Sequence, residues 1–340
     1  KKTSPEKHII AANEGSAIAI GAGYHLATSK VPLVYMQNSG LGNAVNPLTS
    51  LTHKDVYKIP ILLMIGWRGE PNINDEPQHL KQGAITEDLL NLLDIPTFIM
   101  SSEESKNLPT LKKAIKLIKQ TKSSVALLIK KGSFDTNSSK TSETKSSNLL
   151  SREEAISSLL EIFPSDALYI STTGMASREL YELREEKKLD HCSDFLTVGS
   201  MGHSSSIALG VAIANKSKKV VCLDGDGSAI MHLGSQAVIS SQKATNLIHV
   251  ILNNGAHDSV GGQPTVGKEI SLTSVASGLK YKKVFKVKTK LEIKSFSGKF
   301  LFNDGPIFIE VIVRKGARAN LGRPKTDPKR NKELFMKQVK

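Results

Sequence analysis

Apolar and polar positions along the chain fall into two alternating registers. Apolar runs of four to seven residues, bounded by Gly, Pro or Asn, recur between longer stretches in which apolar residues return every three or four positions. The short runs predict strands buried on both faces and the longer stretches predict helices that cover them. That alternation builds a mainly parallel sheet with crossover helices. Strands are predicted at 33–37, 61–65, 97–100 and 125–129, with helices over 14–27 and 108–119; the small residues of the first helix predict close packing. A second series places strands at 167–171, 195–198, 220–223, 247–252 and 307–313, with helices over 151–162, 177–186, 204–214 and 229–242. Residues 132–148, rich in Ser, Thr and Lys and without apolar periodicity, read as an exposed linker. The expected fold class is α/β: two tandem domains, 1–131 and 151–340, joined by a linker over 132–150, each a mainly parallel sheet flanked by helices.

The length of 340 residues agrees with two domains at about 150 residues each. With 39% apolar and 23% charged residues the chain can build packed cores, which argues against disorder. The longest apolar run, 59–67, is far short of the roughly 20 residues that cross a bilayer, so no membrane span is expected. Cys192 and Cys222 are the only cysteines, too few for a disulfide framework or a cysteine zinc site. They read as structural thiols in a reducing compartment, and a cytoplasmic location is expected. The formal charge of +14 raises the question of nucleic acid. It is concentrated in 280–299 and 314–340, which carry +7 and +8, and aromatics are only 5% of the chain. Without stacking residues beside the basic stretches, a solvated lysine-rich surface is the better reading, and no nucleic-acid partner is expected.

The chemistry concentrates in 220–261. The apolar run Val220-Val221-Cys222-Leu223 leads into Asp224-Gly225-Asp226-Gly227-Ser228 and then a helix, a strand-to-helix turn at the carboxyl edge of a parallel sheet. The next predicted strand ends in Asn253-Asn254-Gly255. Asp226 and Asn254 are 28 residues apart, one strand–helix–strand crossover, which brings both to the same sheet edge within reach of one ion. A hard divalent cation such as Mg²⁺ bridging to a diphosphate suits such oxygen ligands. The turn is no dinucleotide fingerprint, because Ile230 stands where the last Gly is needed, and no P-loop Lys follows.

These motifs resemble those of the thiamine diphosphate-dependent enzymes, whose cofactor motif opens with Gly-Asp-Gly-Ser and closes with Asn-Asn. The resemblance implies that Asp226, Asn254 and the carbonyl of Ala256 hold Mg²⁺, and that Gly225, Gly227 and Ser228 lie at the diphosphate. Gly199-Ser200-Met201-Gly202 is similar to the segment whose large apolar side chain wedges the bent cofactor; Met201 takes that role, with the Gly199 carbonyl at the 4′-amino group. Thr173-Gly174 matches another diphosphate-side turn. Asn13-Glu14-Gly15-Ser16-Ala17 is similar to the motif that supplies the catalytic glutamate, Glu14, to a partner subunit's site, and Ser39-Gly40-Leu41-Gly42-Asn43-Ala44 resembles a turn of the pyrimidine-binding domain.

Within that family, Tyr35 to Asn43, Gly66 to Pro71, Asp75 to His79 and Asn254 to Pro264 look most like the phosphonopyruvate decarboxylases, with the sulfopyruvate decarboxylases as near relatives. The implied partner is a small 2-keto acid carrying a phosphonate, 3-phosphonopyruvate, converted to phosphonoacetaldehyde and CO₂. Arg68 and His79 are then candidates for the phosphonate, with Gln37, Asn38 and Gln78 as neutral donors, and His257 and Asp258 for protonation. The implied architecture is a pyrimidine-binding domain, a diphosphate-binding domain and no middle domain, in a homodimer or higher homo-oligomer with shared sites. Sulfopyruvate decarboxylation and a non-catalytic cofactor-binding subunit are the alternatives. Because the chain starts at Lys1, close to Glu14, the first domain is expected to lack the family's first strand.

Overall fold

The computed structural model describes residues 8–134, 148–297 and 304–339. Contacts divide the chain into two units, Lys1–Glu143 and Thr144–Lys340. Of the expected linker, residues 135–147 lie outside the described residues.

The first unit runs α1 (Glu14–Thr28), β1 (Leu33–Gln37), α2 (Leu41–Ser50), β2 (Leu62–Gly66), α3 (Pro77–Leu92), β3 (Thr97–Met100), α4 (Glu104–Thr121) and β4 (Val125–Ile129). Its four strands form a parallel sheet in the order β1-β2-β4-β3. Every residue of β4 is buried, as expected of a central strand covered on both faces. Asn13 caps α1 by accepting the Ser16 N–H at 2.9 Å. The small residues of α1 let it approach its neighbours: a Cβ at Gly15 would lie 2.8 Å from the Asn43 carbonyl oxygen, on α2. Two helices of this unit, α2 and α3, fall outside the predicted set. Each carries Gly near its start or middle and a broken apolar period, and each is held by packing on the sheet through Leu41, Ala44 and Leu48 or through Leu90.

The second unit runs α5 (Arg152–Ile162), β5 (Leu168–Ser171), α6 (Met175–Glu186), β6 (Asp194–Leu196), α7 (Ser204–Ala214), β7 (Val220–Gly225), α8 (Asp226–Met231), α9 (Ser235–Ser241) and β8 (Leu247–Asn253). After these come β9 (Ala256–His257), β10 (Gln263–Pro264), α10 (Leu272–Gly278), β11 (Lys283–Val287), α11 (Lys290–Lys294), β12 (Ile307–Ile312) and α12 (Pro328–Val339). Six strands form a parallel sheet in the order β11-β12-β8-β7-β5-β6, with one apolar core on each face. Every residue of β8 and β12 is buried.

The single helix expected over 229–242 is instead two, broken at 232–234, where His232 leaves helical dihedrals ahead of Gly234. The lysine-rich stretch 280–299 also holds a strand, β11, an edge strand whose lysines blunt it against further pairing. Similarly, the basic tail is not all solvated surface. Through Asn331, α12 accepts the Leu196 N–H at 3.1 Å and donates to the Asp194 carbonyl at 2.8 Å, covering the other edge strand, β6. Among the described residues no helix is long and apolar enough to cross a membrane.

Candidate active site

In the second sheet the chain goes from β5 outward to β6 and then returns to lay β7 on the other side of β5. The strand order reverses there, so the loops leaving β5 and β7 diverge and open a crevice at the carboxyl edge. The two loops are Thr172-Thr173-Gly174 and the Gly225–Ser228 turn. A small cavity of about 50 Å³ lies between them, lined among others by Thr172, Thr173, Met201, Asp226, Ser228 and Asn254. A larger groove of about 760 Å³ elsewhere in this unit is bordered chiefly by glutamates, arginines and lysines such as Glu153, Glu182 and Arg318, which pair with one another.

Ser228 joins three segments. Its Oγ accepts the Gly202 N–H at 3.0 Å and the Thr172 hydroxyl at 3.0 Å, leaving its own proton to donate outward. Thr173 Oγ1 accepts the Gly199 N–H at 3.1 Å, tying the β5 turn to the 199–202 turn. That turn has positive φ at Gly199, Ser200 and Gly202, and so presents Met201 toward the cavity. At Gly227 a side chain would run into the His257 ring. The sequence-predicted residues Thr173, Gly174, Gly199, Met201, Gly225, Asp226, Gly227, Ser228, Asn254, Ala256 and His257 therefore converge on one edge of one sheet.

Asp226 is buried at the first position of α8, and burial pushes its carboxyl above the ordinary range, against the opposing hydrogen bonds from the Thr265 hydroxyl and the Asn254 N–H. Asn254 Oδ1 accepts the Ala256 N–H at 2.9 Å and its Nδ2 donates to Asp258 Oδ2 at 2.6 Å. Asp258 Oδ2 also receives Arg152 Nη1 at 3.0 Å and the Gly316 N–H at 3.1 Å, and Arg152 forks onto Glu179 at 2.7 and 2.9 Å. These acids hold Arg152 firmly cationic in spite of its burial. Asp258, expected to serve in protonation, is thus an anchor for Asn254. The first Asn of the pair is also structural: Asn253 Nδ2 donates to Glu310 Oε1 and to the Gly267 carbonyl, both at 2.7 Å. Thr172, Thr265, Arg152 and Glu179 escape a sequence reading because each lies far along the chain from the turn it supports. The desolvated Asp226 carboxylate, the Asn254 amide and the Ala256 carbonyl form an all-oxygen donor set that fits a hard divalent cation.

In the first unit, Glu14 is half-buried at the start of α1, and its Oε2 accepts Asn43 Nδ2 at 2.8 Å. A side chain at Gly40 would run into the Glu14 carboxylate. Two motifs far apart in sequence, 13–17 and 39–44, thereby meet around one acid. Asn38 spends both ends of its amide internally, donating to the Arg68 carbonyl at 2.7 Å and to Thr86 Oγ1 at 3.0 Å and accepting the Arg68 N–H at 3.1 Å. Gln37 accepts the Ser39 hydroxyl at 2.6 Å. Arg68 and His79 come together on Asp75, which Arg68 grips through Nε and Nη2 and His79 approaches through Nδ1 at 2.9 Å. The guanidinium, assisted by His79 and the Gly69 N–H and outweighing burial, holds the Asp75 carboxyl far below the usual carboxylate range. Gln78 is half-buried beside them, its Oε1 without a hydrogen-bond partner among the described residues. Asp75 is the residue that sequence reasoning missed as the centre of this cluster.

Residues 172–311 match the family described as thiamine pyrophosphate enzyme, C-terminal TPP binding domain, and residues 2–91 match thiamine pyrophosphate enzyme, N-terminal TPP binding domain. A phosphonopyruvate decarboxylase of Streptomyces viridochromogenes is 34% identical over 336 residues, covering 95% of this chain and 82% of that protein. The chain belongs to the thiamine pyrophosphate enzyme family. A phosphonopyruvate decarboxylase of Streptomyces hygroscopicus is likewise 34% identical over 95% of the chain and 82% of its own length. A sulfopyruvate decarboxylase of Methanosarcina acetivorans is 30% identical over 89% of the chain and 81% of its own length. Thiamine diphosphate is the cofactor of this enzyme family, and the edge built by Gly225–Ser228, Thr172–Gly174 and 199–202 lies within the matched C-terminal domain.

Proposed function

We propose that this chain decarboxylates 3-phosphonopyruvate to phosphonoacetaldehyde and CO₂, with thiamine diphosphate and Mg²⁺. The observation that carries the reading is the buried turn in which Asp226, Asn254 and Ala256 converge beside Ser228, in a chain aligned almost end to end with phosphonopyruvate decarboxylases. When bound, thiamine diphosphate supplies the electron sink that loss of CO₂ from a 2-keto acid requires. Asp226, Asn254 and the Ala256 carbonyl would hold Mg²⁺, Gly227 and Ser228 would receive the diphosphate, and Met201 would pack against the cofactor. Glu14, oriented by Asn43, would hold a proton at the cofactor's pyrimidine ring.

The phosphonate is assigned to Arg68, His79 and Gln78. Asp75 holds one edge of the Arg68 fork and so fixes its direction, leaving the Nη1 edge for a tetrahedral oxyanion. We assign the working form to a homodimer or higher homo-oligomer with shared sites, as the resemblance to thiamine diphosphate-dependent enzymes implies. A fully active monomer contradicts that assignment. A cytoplasmic location belongs to the same reading, in keeping with two free cysteines.

Sulfopyruvate is the second substrate to weigh, because a sulfonate has the same tetrahedral shape with one negative charge fewer. Side-by-side assays with phosphonopyruvate, sulfopyruvate and pyruvate separate the readings. The expected order of kcat/KM is phosphonopyruvate, then sulfopyruvate, then pyruvate. A preference for sulfopyruvate, or for pyruvate, overturns it.

A further inference from the structure

One polar cluster in the second unit lies behind the edge described above and shares only Asp224 with the lining of its cavity. Cys222 and Asp224 are two residues apart on β7 and so point to the same face of the sheet, and His249 on β8 is the register partner of Cys222. The three side chains are wholly buried, among apolar neighbours such as Val220, Ile251 and Phe308. Their thiol, carboxylate oxygen and imidazole nitrogen lie within 4.8 Å of one another. In such surroundings a polar atom without a partner is costly, yet among the described residues Asp224 Oδ2 and His249 Nε2 have none. These two atoms face each other at 3.5 Å. That is beyond the roughly 2.7–3.2 Å of an N–H···O hydrogen bond. It is the separation of two ligands each about 2.0–2.1 Å from one ion and subtending roughly 120° at it. The other ring nitrogen, Nδ1, is 3.1 Å from the Tyr281 hydroxyl, the kind of outer partner that orients a ligating imidazole. Ser204, at the first position of α7, is also buried, its hydroxyl beside the Cys222 thiol.

We propose that Cys222, Asp224 and His249 form a closed site for a borderline-soft divalent ion of the Zn²⁺ class, separate from the oxygen site at Asp226 and Asn254. Two cysteines cannot make an all-cysteine centre. The register of β7 against β8 supplies the missing nitrogen and oxygen. Sulfur with imidazole selects zinc over magnesium, whose ligands are oxygens. A thiolate and a carboxylate together balance a divalent charge, so the loaded cluster is neutral within its apolar surroundings. Ser204 is available for the fourth position of a tetrahedral structural site. Asp224 Oδ1 accepts the Gly225 N–H at 2.9 Å, so the ion ties β7 to β8 at the edge from which Asp226 and Asn254 project.

The test is elemental analysis of the full chain, purified with thiamine diphosphate and Mg²⁺ from zinc-supplemented cells and dialysed against a chelator. About one zinc per chain is expected to survive dialysis, as a closed tetrahedral site implies. Cys222→Ser and His249→Gln should lose it, and Cys192→Ser should keep it. In cobalt-grown protein, a thiolate-to-cobalt absorption band should be present in the wild type and in Cys192→Ser and absent from Cys222→Ser. A wild-type chain without stoichiometric transition metal and without the cobalt band overturns the site, whatever the fate of the variants, and leaves His249 and Asp224 as a direct pair. Zinc retained by a folded chain carrying both Cys222→Ser and His249→Gln overturns it as well.

Discussion

An acid at the first turn of a helix is commonplace, because it complements the helix dipole. Glu14 is set apart by what surrounds it: the Asn43 amide that orients one oxygen and the Gly40 backbone that only a residue without a side chain lets come so close. That arrangement supports the proton-placing role proposed for Glu14. Glu14→Gln is therefore expected to lower kcat by about 10²–10⁴-fold while cofactor affinity, measured by calorimetry, changes little. Unchanged turnover contradicts the role. Asp75 makes a prediction of another kind. Its pKa is lowered in the folded chain, so the unfolded chain binds the extra proton as pH falls. The resulting stability is complete above the unfolded value of about 4 and is lost as the pH falls below it. Urea denaturation between pH 5 and 2.5 should show the wild type losing stability more steeply than Asp75→Asn. Parallel slopes contradict this. The Asn13–Ala17 motif was legible in the sequence because it is local. Asp75 was not, because its importance comes from Arg68 and His79 converging on it through a loop and the start of α3.

At the scale of elements, the site exists because β5 and β7 are neighbours whose loops part in opposite directions. Central strands, buried on both faces, must be apolar throughout, and β4 begins and ends where the pattern places it. So do β1 and β3, edge strands of the first sheet, whose short apolar runs each follow a proline. Elements with a polar or broken apolar pattern were harder. Polar, lysine-bearing β11 and the helices α2, α3 and α12 depend on what they pack against, and a local pattern does not record that. The same holds for the ion network behind Asn254, where α5, α6 and the segment after β9 contribute Arg152, Glu179 and Asp258. Breaking one partner of such a buried pair costs about 3–5 kcal/mol. Asp258→Asn should accordingly lower the denaturant midpoint and weaken Mg²⁺-supported cofactor binding together. A variant with wild-type stability and wild-type Mg²⁺ dependence contradicts the anchoring role.

For the whole molecule, the +14 charge sits largely away from the chemistry, on an edge strand and on the tail that carries α12. In the proposed function the two matched domains divide the work. One brings the acid and the Arg68 cluster, and the other brings the oxygen site and the diphosphate turn. Neither set decarboxylates a 2-keto acid by itself, since the chain's own side chains offer no electron sink. The most direct measurement is the release of CO₂ and phosphonoacetaldehyde from 3-phosphonopyruvate by the cofactor-stripped chain, with thiamine diphosphate and Mg²⁺ added singly and together. Product is predicted only when both are present; product without thiamine diphosphate, or none with both, contradicts the account.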